Sequence, residues 1–521
     1  MSLCYRSGMR FSKISSAQNH LLRAHVISVE TDMSRGLHSF SIVGLPDKAV
    51  EEARDRVSAA IKNSGFRSPK QTNAKIVVSL APSHIRKEGP SFDLPIALGC
   101  LLASGDADFD PDGRLFIGEL ALDGALRPVD GTLSYARLAK EEGFREIYVP
   151  RANAEEASLI RDIAVFGAES LGSVLEHLSG RTRLRPEPPA DIGAITDKDP
   201  SPADLDDVVG QETAKRGLII AAAGRHNIGL FGPPGTGKTM LARALPSIMP
   251  ALSFEEMLEA TEIHSIAGVL DGPLLTRPPV RAPHHTASYP SLIGGGSVPK
   301  PGEITLAHRG VLFLDEFPEF DKRVIEALRQ PLEDRVISIS RARGSARFPA
   351  DFVLVAAFNP CPCGNKGILG KECSCSPAVI RNYEKKISGP IIDRIDMWIE
   401  VSKVEHERLM ERKMGSVETD RARERVLRAR EAQRKRFAGH GIVASSNSSV
   451  SARDLSKVAL LSKEAVHILN EAARVYGISG RGYHRIVRLA RTIADLEPSE
   501  NIEAPHILEA LQYRERRFRK E

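Results

Sequence analysis

The sequence predicts an α/β fold: a core built on a parallel sheet, with an α+β domain before it and charged helices after it. Two motifs and one boundary carry that prediction. Residues 232–239 read GPPGTGKT and fit the phosphate-binding pattern G-x-x-x-x-G-K-[ST]. Residues 311–316 read VLFLDE. Four apolar residues ending in two carboxylates are the signature of a buried parallel strand that presents acids at its C-terminal end. The stretch 184–204, LRPEPPADIGAITDKDPSPAD, is rich in Pro and Asp and poor in apolar residues, which marks a linker. The expected organisation is therefore 1–183 as a first domain, 184–204 as linker, 205–400 as the core and 401–521 as a helical region.

Composition sets the outer bounds. With 521 residues the chain exceeds what one hydrophobic core supports. An apolar fraction of 42% and a net charge of +5 are ordinary for a soluble protein. No apolar run is long enough to span a bilayer, and MSLCYRSGMRFSKISS lacks the apolar centre of a secretory signal. The expectation is a cytoplasmic protein with no membrane partner. Basic residues concentrate in 341–347 and toward the C-terminus, where an anionic partner would find them.

Taken in order, SFSIVGL (39–45) and AKIVVSL (74–80) read as strands, and KAVEEARDRVSAAIKN (48–63) has its apolar residues at helical spacing. NIGLFG (227–232) is the strand feeding the phosphate loop, and the helix begins in TMLARALPSIM (239–249). Phosphates would lie on that helix's N-terminus, where free N–H groups and the dipole favour anions. Gly232, Pro233, Pro234, Gly235, Thr236 and Gly237 form the loop, because backbone amides close round phosphate only where side chains do not intervene. Lys238 supplies positive charge to ATP, and Thr239 with Asp315 would hold Mg2+. Glu316 would orient and polarise the attacking water. RVISISRARGSARFPADF (335–352) reads as a β-hairpin with a basic tip. FVLVAAFNP (352–360) is a further apolar strand that ends on Asn359, and the chain beyond about residue 402 is helical and charged.

Cys361, Cys363, Cys373 and Cys375 form C-x-C-x9-C-x-C immediately after Asn359. Two close pairs of thiols can make a tetrahedral Zn2+ site, although C-x-C is tighter than the usual C-x2-C, and free thiols or an oxidised pair are the other readings. His284 and His285 could be a metal pair, but neighbouring residues in an extended chain face opposite ways, so a structural or loop role fits them better.

The order GPPGTGKT, VLFLDE, AAFNP, GPIIDRID and SGRGYHRIVRLARTIADL resembles an AAA+ ATPase. Residues 283–320 (PHHTASYPSLIGGGSVPKPGEITLAHRGVLFLDEFPEF) and GLHSFSIVGLPDKAVEEARDRVSAAI (36–61) narrow the resemblance to the YifB/ComM magnesium-chelatase-like branch, from about Val26 to Gln512. That resemblance implies a P-loop AAA+ core with a C-terminal helical lid. It places Asn359 as first sensor, Arg394 as arginine finger acting on a neighbouring subunit, and Arg481 as second sensor on the lid. It implies a homo-oligomeric, most often hexameric, ring. In related ring motors a hairpin at this point enters the pore and grips nucleic acid, which would put Arg341, Arg343 and Arg347 on DNA phosphates; a solvated basic turn is the alternative.

The first domain is similar to the Lon-protease type. KEGPSFDLPIAL (87–98) matches the motif of the catalytic serine at Ser91. The lysine base that Lon chemistry needs after Gly131 is replaced by Thr132, Leu133, Ser134 and Tyr135, with no lysine before Lys140. A serine without its base is a weak nucleophile, so an inactive domain retained for binding or assembly is expected. The implied function is a DNA motor driving branch migration or unwinding in recombination or natural transformation. A magnesium-chelatase-type ATPase, a chaperone-like remodeller of a protein client, an ATP-dependent protease and a non-enzymatic assembly factor are the competing classes.

Overall fold

Regular alternation along Ala74–Ala81 puts Ala74, Ile76, Val78 and Leu80 into the first core while the intervening residues face outward. The computed structural model describes residues 11–191, 193, 204–296, 299–341, 344–366, 371–404 and 417–514. They divide into two units, Met1–Asp197 with Thr261–Leu275, and Lys198–Ala260 with Thr276–Glu521.

The first unit is built on a mixed sheet of seven strands. Its strands are β1 (Phe11–His20), β2 (Arg23–Arg35), β3 (Ser39–Val43), β4 (Ala74–Ala81), β5 (Arg114–Phe116), β6 (Glu146–Pro150) and β7 (Ala164–Ala168), in the order β3-β4-β2-β1-β5-β6-β7. β1 and β2 form an antiparallel hairpin in the register Ile14↔Val29, and β5 to β7 run parallel. Helices α1 (Ala53–Asn63) and α2 (Asp93–Ser104) bury Val57, Ile61, Leu94 and Leu98 in one cluster with Ile76 and Val78 of β4. The helix read over 48–63 is two pieces, Lys48–Glu51 and α1, with Glu52 between them.

Thr261–Leu275 joins this first unit although it lies beyond the linker in sequence. Polar bonds tie it there. The Gly131 N–H donates to Ser265 Oγ at 2.9 Å, and the Ser265 hydroxyl donates to the Glu156 carboxylate at 2.5 Å. Ser134 and Arg137, both on α3 (Thr132–Glu141), reach Glu262 at 2.8 and 2.9 Å. Nothing in the composition of 261–275 announces this excursion.

The second unit carries a five-stranded, wholly parallel sheet. Its strands are β8 (Ile228–Phe231), β9 (Val280–Arg281), β10 (Val311–Leu314), β13 (Val353–Phe358) and β14 (Met397–Glu400), in the order β9-β10-β13-β8-β14. The antiparallel hairpin β11 (Val336–Arg341) and β12 (Gly344–Pro349) stands apart from it. Every residue of β10 and β13 is buried, as strands covered on both faces require. Register decides the rest: Ile228↔Val355 sets β8 beside β13, and Phe313↔Val355 sets β10 on the other side. The strand ending at Asn359 thus lies between the one feeding the phosphate loop and the one ending in Asp315. All three deliver their C-terminal ends to one edge, where open α/β sheets bind ligands.

The longer C-terminal helices among the described residues are α7 (Glu418–Gly439), α8 (Lys463–Val475), α9 (Gly480–Leu496) and α10 (Ala504–Gln512). They share one continuous core with the sheet: Val426, Ala429, Ile493 and Ile507 cluster with Leu218 and Ile220 of α4 (Glu212–Gly224) and with Ile228. Two further helices, α5 (Lys238–Ile248) and α6 (Phe254–Ile266), follow the phosphate loop. Within this region Arg491 and Asp495 of α9, each 1% exposed at the side chain, form an ion pair at 3.0 Å. Arg491 also donates to the Glu500 carbonyl at 2.6 Å, and Asn447 donates to Asp495 at 2.8 Å. Removing one partner strands a buried charge, so Asp495→Ala is expected to destabilise the fold by about 3–5 kcal/mol, read by urea unfolding of the full chain. No helix among the described residues is long and apolar enough to cross a membrane.

Candidate active site

The loop between β8 and α5 turns through Gly235 (φ +76°) and Gly237 (φ +89°), both in the left-handed region that only glycine enters without strain. Gly232 is needed for a different reason, since a Cβ there would lie 2.2 Å from the Val401 carbonyl oxygen. Lys238 is 7% exposed and donates to the carbonyls of Gly232 (2.8 Å) and Pro233 (2.7 Å) and to Asn359 Oδ1 (3.2 Å). Burial pushes its amine below the usual lysine range, with Asp315 working the other way. A buried ammonium whose hydrogen-bond partners are all neutral oxygens fits an arriving phosphate. The Thr239 hydroxyl donates to Asp315 Oδ2 at 2.9 Å. Two hard oxygens at the foot of a phosphate loop are the ligands magnesium takes.

Glu316 sits just past β10 in a left-handed conformation (φ +51°), with its N–H donating to Asp315 Oδ1 at 2.9 Å. Its carboxylate lies 3.0 Å from His285 Nδ1, and the His284 and His285 rings are 4.2 Å apart. The structure therefore brings His285 to the carboxylate read as the water-orienting group. Sequence reasoning missed this, because nothing in the spacing links positions 285 and 316.

The two arginines assigned to sensing and transfer lie together. Arg394 and Arg481 both bond Glu333, Arg481 at 2.5 Å, and Arg394 also donates to the Pro390 carbonyl at 2.7 Å. They line a cavity of about 510 Å³ with Arg335, Arg485 and Arg488, and no residue of 232–239 lines it. Lys238, Thr239, Asp315 and Asn359 thus form one group, and Arg394 with Arg481 another.

In the β11–β12 hairpin, Ile337, Ile339, Ala346 and Phe348 are buried and Arg347 is exposed. Arg341 closes the ladder opposite Gly344, and Arg343 lies outside the described residues. Four sulfur atoms gather beyond Asn359: Cys361 and Cys363 are 3.4 Å apart, and Cys373 lies 3.7 and 3.6 Å from them. Cys375 completes the group within 4.8 Å, and all four are free thiols. The Asn365 N–H, first among several donors, pulls the Cys363 thiol down to about 6. In the first unit, Ser91 is buried and hydrogen-bonds the Tyr135 phenol, which burial pushes up to about 12. Lys140 pairs with Asp162 at 2.9 Å, and Lys87 donates to the Pro82 carbonyl.

A phosphate loop, an acidic strand end and an interposed polar strand end on one parallel sheet define a P-loop domain of the AAA+ type. Three family models match the chain: "Magnesium chelatase, subunit ChlI" over residues 204–409, "Subunit ChlI of Mg-chelatase" over 29–153, and "Magnesium chelatase, subunit ChlI C-terminal" over 416–514. The chain belongs to the YifB/ComM family of magnesium-chelatase-like AAA+ ATPases. It is 42% identical over 497 residues to Competence protein ComM of Haemophilus influenzae, covering 95% of each chain. It is 40% identical over 496 residues to the uncharacterized protein YifB of Escherichia coli, again covering 95% of each. Similarity to the Magnesium-chelatase 67 kDa subunit of Chlorobaculum parvum, 30% over 159 residues, spans 30% of this chain and 23% of that protein.

Proposed function

We propose that the chain is an ATP-hydrolysing ring motor that acts on DNA, driving branch migration or unwinding in recombination or natural transformation. The observation that carries the ATPase half is the convergence of Lys238, Thr239, Asp315 and Asn359 within hydrogen-bonding reach at one sheet edge. Lys238 trades its loop carbonyls for the β and γ phosphates. Asn359 is then free to hydrogen-bond the γ-phosphate or its attacking water, and Glu316 orients that water and accepts its proton. Magnesium, held by Thr239 and Asp315, would supply the neutralising charge between the phosphates.

Charge developing in the transfer calls for an arginine, and Arg394 and Arg481 are gathered on Glu333 instead of on the loop of their own chain. Both are therefore read as acting on the ATP of a neighbouring protomer, which makes a homo-oligomeric ring, most simply a hexamer, the working unit.

The basic hairpin supports DNA as the substrate. One face is anchored by Ile337 and Phe348, which leaves Arg347 exposed; the sequence adds Arg341 and Arg343 to the same basic stretch. Contacts of this kind hold phosphates without reading sequence. End-to-end similarity to a protein named for competence agrees with a cytoplasmic DNA substrate. The 30% identity to the Chlorobaculum parvum chelatase subunit covers 30% of this chain, whereas the 42% identity to ComM covers 95% of it, which favours the ComM-like DNA reading over metal insertion. The Ser91–Tyr135 contact and the pairing of Lys140 with Asp162 support the reading of the first domain as an inactive Lon-like domain kept for binding or assembly.

The DNA half is tested by titrating single-stranded DNA at several salt concentrations. Arg347→Ala is expected to weaken binding uniformly across sequences and to lower the salt slope by about 0.7. An unchanged slope removes Arg347 from the DNA interface.

A further inference from the structure

We propose that Cys361, Cys363, Cys373 and Cys375 bind a structural zinc ion, and that this zinc knuckle braces the phosphate loop, so that zinc and ATP strengthen each other's binding. The zinc half stands on the cysteines alone; the brace rests on the ATP site proposed above.

Geometry selects a mononuclear tetrahedral site. Zinc–thiolate bonds of about 2.3 Å fix the edge of a sulfur tetrahedron at about 3.8 Å. The sulfurs of Cys361, Cys363 and Cys373 are 3.4, 3.6 and 3.7 Å apart, and all four ligand atoms fall within 4.8 Å. A disulfide would bring two sulfurs to about 2.0 Å, and no pair is bonded. An iron–sulfur cluster would spread its cysteines over several irons, farther apart than these. The Lys366 N–H points at Cys361 Sγ at 3.4 Å, a hydrogen bond that steadies a thiolate. Four sulfurs and no open position make the site closed and structural.

The knuckle touches the nucleotide machinery at two places. Cys361 is fully buried and only two residues beyond Asn359, so its bond to metal would fix the strand end that carries the sensor. Gly364 turns the knuckle with φ +77°, its N–H donating to the Cys361 carbonyl at 3.0 Å. A Cβ on Gly364 would lie 2.8 Å from Pro234 Cδ and 3.0 Å from Pro234 Cγ. The backbone of the knuckle therefore packs against the phosphate loop with no room for a side chain. An ion that orders the knuckle limits the positions Pro234 and Asn359 can take, and by reciprocity ATP must tighten the metal by the same factor.

The experiment uses the full-length protein expressed with zinc in the medium. Elemental analysis after desalting is expected to find one zinc per chain, and cobalt exchanged into the site is expected to give the absorption of a tetrahedral thiolate complex. A fluorescent ATP analogue with magnesium then measures affinity before and after zinc is stripped by a chelator, with circular dichroism to confirm that the fold persists. Stripping is expected to weaken binding about fivefold or more. Gly364→Ala supplies an independent arm that does not depend on stripped protein staying folded: zinc content should stay at one, while ATP affinity falls. Absence of zinc and of the cobalt spectrum would overturn the metal site. Zinc at full occupancy, with ATP affinity indifferent both to its removal and to Gly364→Ala, would overturn the brace. Zinc-loaded protein that fails to bind the analogue at all would instead count against the ATP site itself.

Discussion

Glu316→Gln is expected to bind ATP as the wild type does and to hydrolyse it about a hundredfold to ten-thousandfold more slowly. Binding survives because Glu316 bonds neither Lys238 nor Thr239; its carboxylate is half exposed and engaged with His285 at 3.0 Å. Hydrolysis fails because an amide of the same shape cannot take the proton of the attacking water. The left-handed backbone at Glu316 holds the carboxyl group beyond the strand end while Asp315 stays on Thr239, so the two acids serve separate tasks. Single-turnover hydrolysis beside nucleotide binding measures the separation. The ATP-bound variant should also remain locked on DNA. Turnover at the wild-type rate would remove Glu316 from the water-activating role.

Arg394→Ala is expected to lose about a thousandfold or more in turnover while each protomer still binds ATP. The reason is placement: Arg394 sits with Arg481 on Glu333, in a cavity that no phosphate-loop residue lines. Mixing makes the argument sharp. A Lys238→Ala protomer has a dead loop and a live arginine, and an Arg394→Ala protomer has the reverse. Rings assembled from both are expected to regain activity at the junctions where a live loop meets a live arginine. An arginine acting on its own chain's ATP would leave the mixture as inactive as its parts.

Much of this site is legible in the sequence because the chemistry is local. The phosphate loop needs glycines at set intervals and the acidic strand is a short apolar run, so Gly232–Thr239 and Val311–Glu316 announce themselves, and the strand bounds fall within a residue or two of the reading. The four cysteines crowd into fifteen residues for the same reason. Long-range placement is what the sequence hides. His285 reaches Glu316 and Glu333 gathers Arg394 and Arg481 through packing that no periodicity encodes. The return of Thr261–Leu275 to the first unit depends on Ser265 and Glu262 meeting Gly131, Glu156 and Ser134, polar contacts with no sequence pattern of their own. The break at Glu52 is equally silent, because KAVEEARDRVSAAIKN keeps its helical spacing across it.

The claim that the chain is a DNA motor is tested most directly by one assay: the ATPase rate of the purified protein without DNA, with single-stranded DNA and with a synthetic four-way junction, scoring junction dissociation in the same tube. The account predicts that DNA stimulates hydrolysis and that junctions come apart only when ATP is hydrolysed, with Glu316→Gln inert. A vigorous ATPase indifferent to every DNA, with the junctions intact, would contradict it and direct attention to a protein or porphyrin client.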